Sequence, residues 1–182
     1  GGTSSGAQVG SFEEEEARAW VSGKVRQWGG DDEGVRALVQ YLGCFPLAVA
    51  QAAEYARLYH AATPAEYLAE LKRAGLRLGK SKRHASRKDY PHSFPDVVKL
   101  SVDRILQSDD EHAAEAGRAL RKLALLSTEA IPLELLAAEE KAAVPLLEEH
   151  SLVTRDAQGL GAMHALTQLV VRDQLTERAE RA

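Results

Sequence analysis

The chain has 182 residues, of which 45% are hydrophobic, 27% charged and only 5% aromatic, with a formal net charge of -4. That apolar content is enough for a buried core in one domain or two small ones and excludes a disordered chain; the mildly acidic balance argues against a protein built to coat nucleic acid. No apolar run approaches the ~18 to 20 residues that cross a bilayer.

Ala, Leu and Glu abound, and these residues lose little side-chain freedom in a helix. A single cysteine, Cys44, rules out an internal disulfide and a cysteine-based zinc site, in keeping with a reducing, cytoplasmic compartment. No charged-then-apolar stretch reads as a secretory leader.

Residues 1–10, "GGTSSGAQVG", are small and polar and read as a flexible end. Their Gly2-Thr3-Ser4-Ser5-Gly6 fits G-x-S-x-G on paper, but a nucleophile elbow needs a strand before it and none is readable there. Ser11 and Glu14 form a capping box for a first helix, with Phe12, Ala17, Trp20, Val21, Val25 and Trp28 at helical spacing. The acidic run Glu13 to Glu16 suits the dipole of its opening turns. After "WGGDDEG" a second helix carries Val35, Leu38, Val39 and Leu42 on one stripe and stops at Gly43. Pro46 opens a third, Ala-rich helix to about Tyr59, where the missing N–H costs nothing. Thr63, Pro64 and Glu66 open a fourth, which Gly75 should end.

The stretch "GLRLGKS", residues 75–81, resembles a phosphate-binding loop but has three residues between its glycines where four are needed, and it follows a helix rather than a strand. It is discarded. From Lys72 to Lys88 eight Lys and Arg residues meet no acid, the pattern of a solvated connection or of an anion-binding surface.

Ser93 and Pro95 open a fifth helix, with Val97, Val98, Ser101, Val102, Ile105 and Leu106 inward. A sixth is expected from about Asp110 to Leu126, its apolar end formed by Leu120, Leu123, Leu125 and Leu126. Two short helices follow, Pro132 to Ala138 and about Lys141 to His150. "SLVTRDAQGLGAMH" alternates about an Asp156/Gly159 turn and reads as a β-hairpin. A last helix spans about Ala165 to Arg178, with Leu166, Leu169, Val170 and Leu175 inward. Short helix, turn, short helix, hairpin is the order of a winged helix. Its second short helix sets Glu140, Glu148 and Glu149 against Lys141, the wrong sign for duplex DNA.

Two segments then fit together. "YLGCFPLAVAQAAEYAR", Tyr41 to Arg57, resembles the G-x-P-L-A segment of the NB-ARC group of STAND signalling NTPases. "GAMHALTQLVVRD", Gly161 to Asp173, resembles that group's M-H-D segment in the looser form M-H-x-L-x-Q-x-V-x-R. "FPDVVKLSVDRI" and "ALRKLALLSTEAIPLELL" look like the family's passage from helical domain to winged helix.

The resemblance implies a regulatory piece of an ATPase switch that is not an enzyme by itself. Its partner would be a nucleotide-binding domain of the same protein, absent from this sequence, with self-association or other protein contacts on activation. Pro46 is implied to pack near the adenine and His164 to reach the β-phosphate of ADP. Proline offers a rigid apolar face, and histidine donates to phosphate. The family's Asp after the His is Ala165 here, which implies looser locking of the ADP state.

The fold expected is mainly α. A four-helix bundle-like helical domain covers 11–76, a basic connector 77–92 and a winged-helix domain with one small β-hairpin 93–178. Taken without the resemblance, Pro46 is a good first-turn residue and His164 a part-buried histidine. His60, His84, His92, His112 and His150 pair with no His or acid cluster, so zinc is not expected. The rival functions are a winged-helix nucleic-acid module using the Lys72 to Lys88 run as its arm, and a protein-interaction scaffold.

Overall fold

The computed structural model describes residues 12–77 and 93–179, and it is mainly helical with one two-stranded antiparallel hairpin near the C-terminus. The first four helices are α1 (Glu14–Lys24), α2 (Asp32–Tyr41), α3 (Pro46–Leu58) and α4 (Pro64–Arg77). α1 packs on α2 and α3, and α2 on α4. α1 starts later than its sequence implied, with Glu13 at the N-cap and no side-chain cap bond; Ser11 lies outside the described residues. It also ends sooner, because the chain tightens into a 3-10 turn at Arg26–Trp28. Trp28 is buried all the same, and its indole Nε1 donates to the Ala61 carbonyl at 2.8 Å.

Thr63 caps α4 as its sequence demands, its Oγ1 accepting from the Glu66 N–H at 3.1 Å. Thr63→Ala should therefore lower stability by about 1 kcal/mol, read from the urea midpoint. α4 does not stop at Gly75 but continues to Arg77. A single Gly costs a helix only ~1 kcal/mol, which is too little to end one that packs on both α2 and α5. The helical backbone at Gly75 to Arg77 also removes the start of any phosphate loop there. The rest of the connector expected over 77–92 lies outside the described residues.

The remaining elements are α5 (Phe94–Leu106), α6 (Ala113–Leu123), α7 (Ala138–Ala142), α8 (Val144–Glu149), β1 (Thr154–Arg155), β2 (Gly161–Ala162) and α9 (Ala165–Ala179). α5 packs against α3 and α4 and also against α6 and α9, so one continuous apolar core runs from Ala17 to Val171. Gly117 lets α5 and α6 approach closely, since a Cβ there would stand 2.5 Å from a Leu106 methyl.

Four expectations for this half need correction. α6 ends at Leu123, so Leu125 (67% exposed) and Leu126 (37%) point to solvent instead of closing the core. The helix expected from Pro132 is a 3-10 turn at Leu133–Leu135, and the next is broken at Ala143 into α7 and α8. Glu140 does not stand on an outward, groove-facing surface. It is buried, where its carboxylate accepts from Lys122 Nζ at 2.7 Å and from the Ala137 N–H at 2.9 Å, and the lysine holds its pKa below the usual carboxylate range. The inward face of α9 is as expected, with Val170 buried and Leu166 and Leu169 packed against the core, and Thr167, Gln168 and Val171 are buried beside them; the Leu175 side chain lies outside the described residues.

The hairpin pairs Thr154 with Ala162 and Arg155 with Gly161. Asp156 builds its turn by accepting at 2.9 Å from the N–H groups of both Gln158 and Leu160, with Gly159 at φ +82°. Ile131 adds a third, single-residue rung beside Gly161, through reciprocal bonds of 2.8 Å.

Candidate functional site

The G-C-F-P-L-A segment is built by two helix ends meeting. Gly43, at φ +65°, is the left-handed residue after α2. The Cys44 N–H returns to the Val39 carbonyl and the Gly43 N–H to that of Gln40, the paired bonds of a Schellman cap. Phe45 is extended and Pro46 takes the first position of α3. Gly43 and Pro46 thus each have a local reason to be there, and their combined effect is to aim Leu47 out of the start of α3.

His164 stands immediately before α9. Its Nδ1 accepts from the Leu166 N–H at 3.2 Å, and its carbonyl accepts from the Gln168 N–H at 3.0 Å. His164 therefore caps the helix in place of an acidic residue. Although the residue is exposed overall, partial burial lowers its pKa, and occupation of Nδ1 by a backbone donor favours the neutral ring in the same direction. In that state the single ring proton sits on Nε2, free to be donated.

Leu47 and His164, 117 positions apart in sequence, line one cavity of about 410 Å³, a volume within the ~300–1,000 Å³ of small-molecule sites. Its other walls come from Thr128 and Glu129 in the turn after α6, from Ser151 to Thr154 leading into β1, and from Ala162 and Ala165. Pro46 is half-buried and is not itself a lining residue; its neighbour Leu47 is. The turn holding Glu129 is braced. Ser127 Oγ donates to the Glu129 carbonyl at 2.8 Å, the Met163 N–H to the Thr128 carbonyl at 2.9 Å, and Ala130 is left-handed at φ +50°.

Comparison with protein-family models, with curated proteins and with solved structures gives no match. Chemistry must therefore be read from the cavity itself. Its described lining contains no Lys or Arg; the polar groups are Glu129, His164 and the hydroxyls of Thr128, Ser151 and Thr154. Such a set offers an anion one ring N–H and three hydroxyls but no countercharge.

Sequence reasoning missed the side chains that fix this geometry. Gln168, 2% exposed, reaches from α9 to the end of α6 and donates from Nε2 to the carbonyls of Ser127 (2.8 Å) and Leu123 (3.1 Å), with Leu126 farther at 3.4 Å. Gln51, fully buried on α3, donates to the Ser151 carbonyl at 3.0 Å. Tyr59 Oη lies 2.9 Å from His150 Nε2. These partners are 41 to 100 positions apart, beyond any local pattern. Only the Gln of the M-H-x-L-x-Q resemblance pointed towards one of them.

Proposed function

We propose that this chain is the helical and winged-helix portion of a STAND-type NTPase of the NB-ARC group. In the intact protein, joined to a nucleotide-binding domain, it would clamp ADP and relay exchange for ATP to attached domains. The observation that carries the reading is the shared cavity. The two segments that resemble the family's nucleotide-facing motifs meet there, one giving Leu47 beside Pro46 and the other His164. α1 to α4 serve as the four-helix bundle. α6, Ile131, α7, α8 and the hairpin follow one another in winged-helix order.

The chemistry divides along the cavity. Leu47, set by the Pro46 turn beside it, gives an apolar surface for a flat base, held by dispersion. His164 Nε2–H donates to a phosphate oxygen, helped by the positive end of the fifteen-residue α9. A ligand touching α3 and α9 together binds one arrangement better than another, and that difference is what moves the switch. The surface offers duplex DNA little, since α8 carries Glu148 and Glu149 and no Lys or Arg. Arg155 on the hairpin is held by Glu148 at 2.6 Å.

Because Glu129 faces the cavity and no Lys or Arg does among its described lining, the chain alone should hold ADP only at about millimolar strength, roughly -4 kcal/mol. It should release no phosphate from ATP. Isothermal calorimetry with ADP tests the first statement, and a micromolar Kd for this chain alone contradicts it. In the full-length protein, His164→Ala should abolish co-purification of ADP; retention of nucleotide would leave the scaffold reading instead.

A further inference from the structure

We propose that the His150–Ser151 turn is a latch that fastens the segment leading into β1 to α3, and that its release opens the cavity wall. The inference concerns regulation of the cavity assigned above and rests on that reading only for its purpose, not for its geometry.

Two side chains hold the turn, the buried Gln51 of α3 and the half-buried Tyr59 just after it. Gln51 Nε2 donates to the Ser151 carbonyl at 3.0 Å, and Tyr59 Oη meets His150 Nε2 at 2.9 Å. The rings of Tyr59 and His150 lie 5.4 Å apart, and the Arg104 guanidinium of α5 covers Tyr59 at 4.8 Å. Ser151 is at once the residue gripped by Gln51 and part of the cavity wall, continuous with Leu152 and Val153. A movement that frees the turn therefore moves the wall.

Several features make this seam easier to part than an apolar one. Gln51 Oε1 and His150 Nδ1 are buried with no partner among the described residues, so the closed state leaves polar capacity unused that an open state would hydrate. The turn is also strained. The Ser151 N–H bonds to the Glu148 carbonyl and the Leu152 N–H to that of Leu147, a Schellman cap whose left-handed position is filled by Ser at φ +54° where Gly would be relaxed. The turn itself is thus held to α3 by two hydrogen bonds beside the apolar burial of Leu152 and Val153, and a ligand's differential affinity can shift it.

Hydrogen exchange without nucleotide tests the latch independently of any ADP role. Tyr59→Phe and Gln51→Met each remove one fastening while keeping ring and volume. Each should speed exchange of the hydrogen-bonded amides of Ser151 and Leu152 by about tenfold, as loss of one buried hydrogen bond implies, while the α1, α2 and α6 amides keep their wild-type rates. Unchanged rates at 151 and 152, or a uniform rise across the whole chain in both variants, overturns the proposal. Failure of ADP to bind would leave this result untouched.

Discussion

Acidification from neutral pH to about pH 4.5 should cost the folded chain about 2.5 kcal/mol through His150 alone. The side chain is 3% exposed, and burial pushes its pKa down from 6.5 to about 4. A proton on this ring would need an acceptor at Nδ1, which has none among the described residues. It would also bring a second positive charge towards the Arg104 guanidinium that covers Tyr59. The sign follows from which state binds the proton. Between pH 6.5 and pH 4 the unfolded chain takes it up and the folded chain refuses it, so stability falls as pH drops through that window and is level above it. Urea midpoints for the wild type and His150→Gln at the two pH values isolate the effect, because other titrating groups are common to both. The wild type should lose about 2.5 kcal/mol more than the variant. Equal losses would mean that His150 is hydrated or already charged in the folded state.

What could be read in advance was whatever a helix or turn fixes locally. The end of α2 at Gly43, the start of α3 at Pro46, the Thr63 cap and the Asp156/Gly159 turn all need particular backbone chemistry, and each stands where its residue type put it. The ends of α3 and α8, expected at about Tyr59 and at His150, fall one residue earlier, at Leu58 and Glu149; what was not legible is the residue that turns the chain there. His60 and Ser151 occupy left-handed cap positions after α3 and α8 at φ +48° and +54°, and neither type advertises that role as glycine does. Gly75 misled in the opposite direction, since packing carries α4 past it. Leu125 and Leu126 continue an apolar pattern beyond the point where the helix that would bury them has ended. At the cavity, resemblance pointed to Pro46 and His164, and the chain brings together Leu47 and His164. Glu129 and Ser151 could not be foreseen, because their place depends on a braced turn and on a contact with α3 from 100 positions away.

Gln168→Leu should lower stability by about 2 kcal/mol, a fall in Tm of roughly 4–8 °C for a chain of this size. The last carbonyls of any helix lack intrahelical partners, and α6 ends where water cannot easily serve them, with Leu123 and Ala124 both fully buried. The Gln168 amide gives the Leu123 carbonyl a second donor beside the Leu126 N–H at 3.2 Å, and gives the Ser127 carbonyl in the following turn its donor. Its Nε2 has only two hydrogens, which serve Ser127 and Leu123, the two carbonyls within 3.1 Å. Leucine preserves much of the volume but removes the Ser127 donor and one of two donors to Leu123, whose carbonyl keeps the Leu126 N–H at 3.2 Å, so the cost is about 1–3 kcal/mol in all. Gln168→Glu separates hydrogen bonding from size. An ionised carboxylate donates nothing and would place its charge against carbonyl oxygens, so it should destabilise at least as much as leucine. If cavity loss were the whole cost, Glu would instead be the milder change. The same amide ties α9, which begins at His164, to the turn that holds Thr128 and Glu129, so it sets the distance between two walls of the cavity. Gln168→Leu should therefore also weaken nucleotide retention in the full-length protein at temperatures where the chain is still folded, and a variant that loses stability but keeps its nucleotide would uncouple that turn from the site.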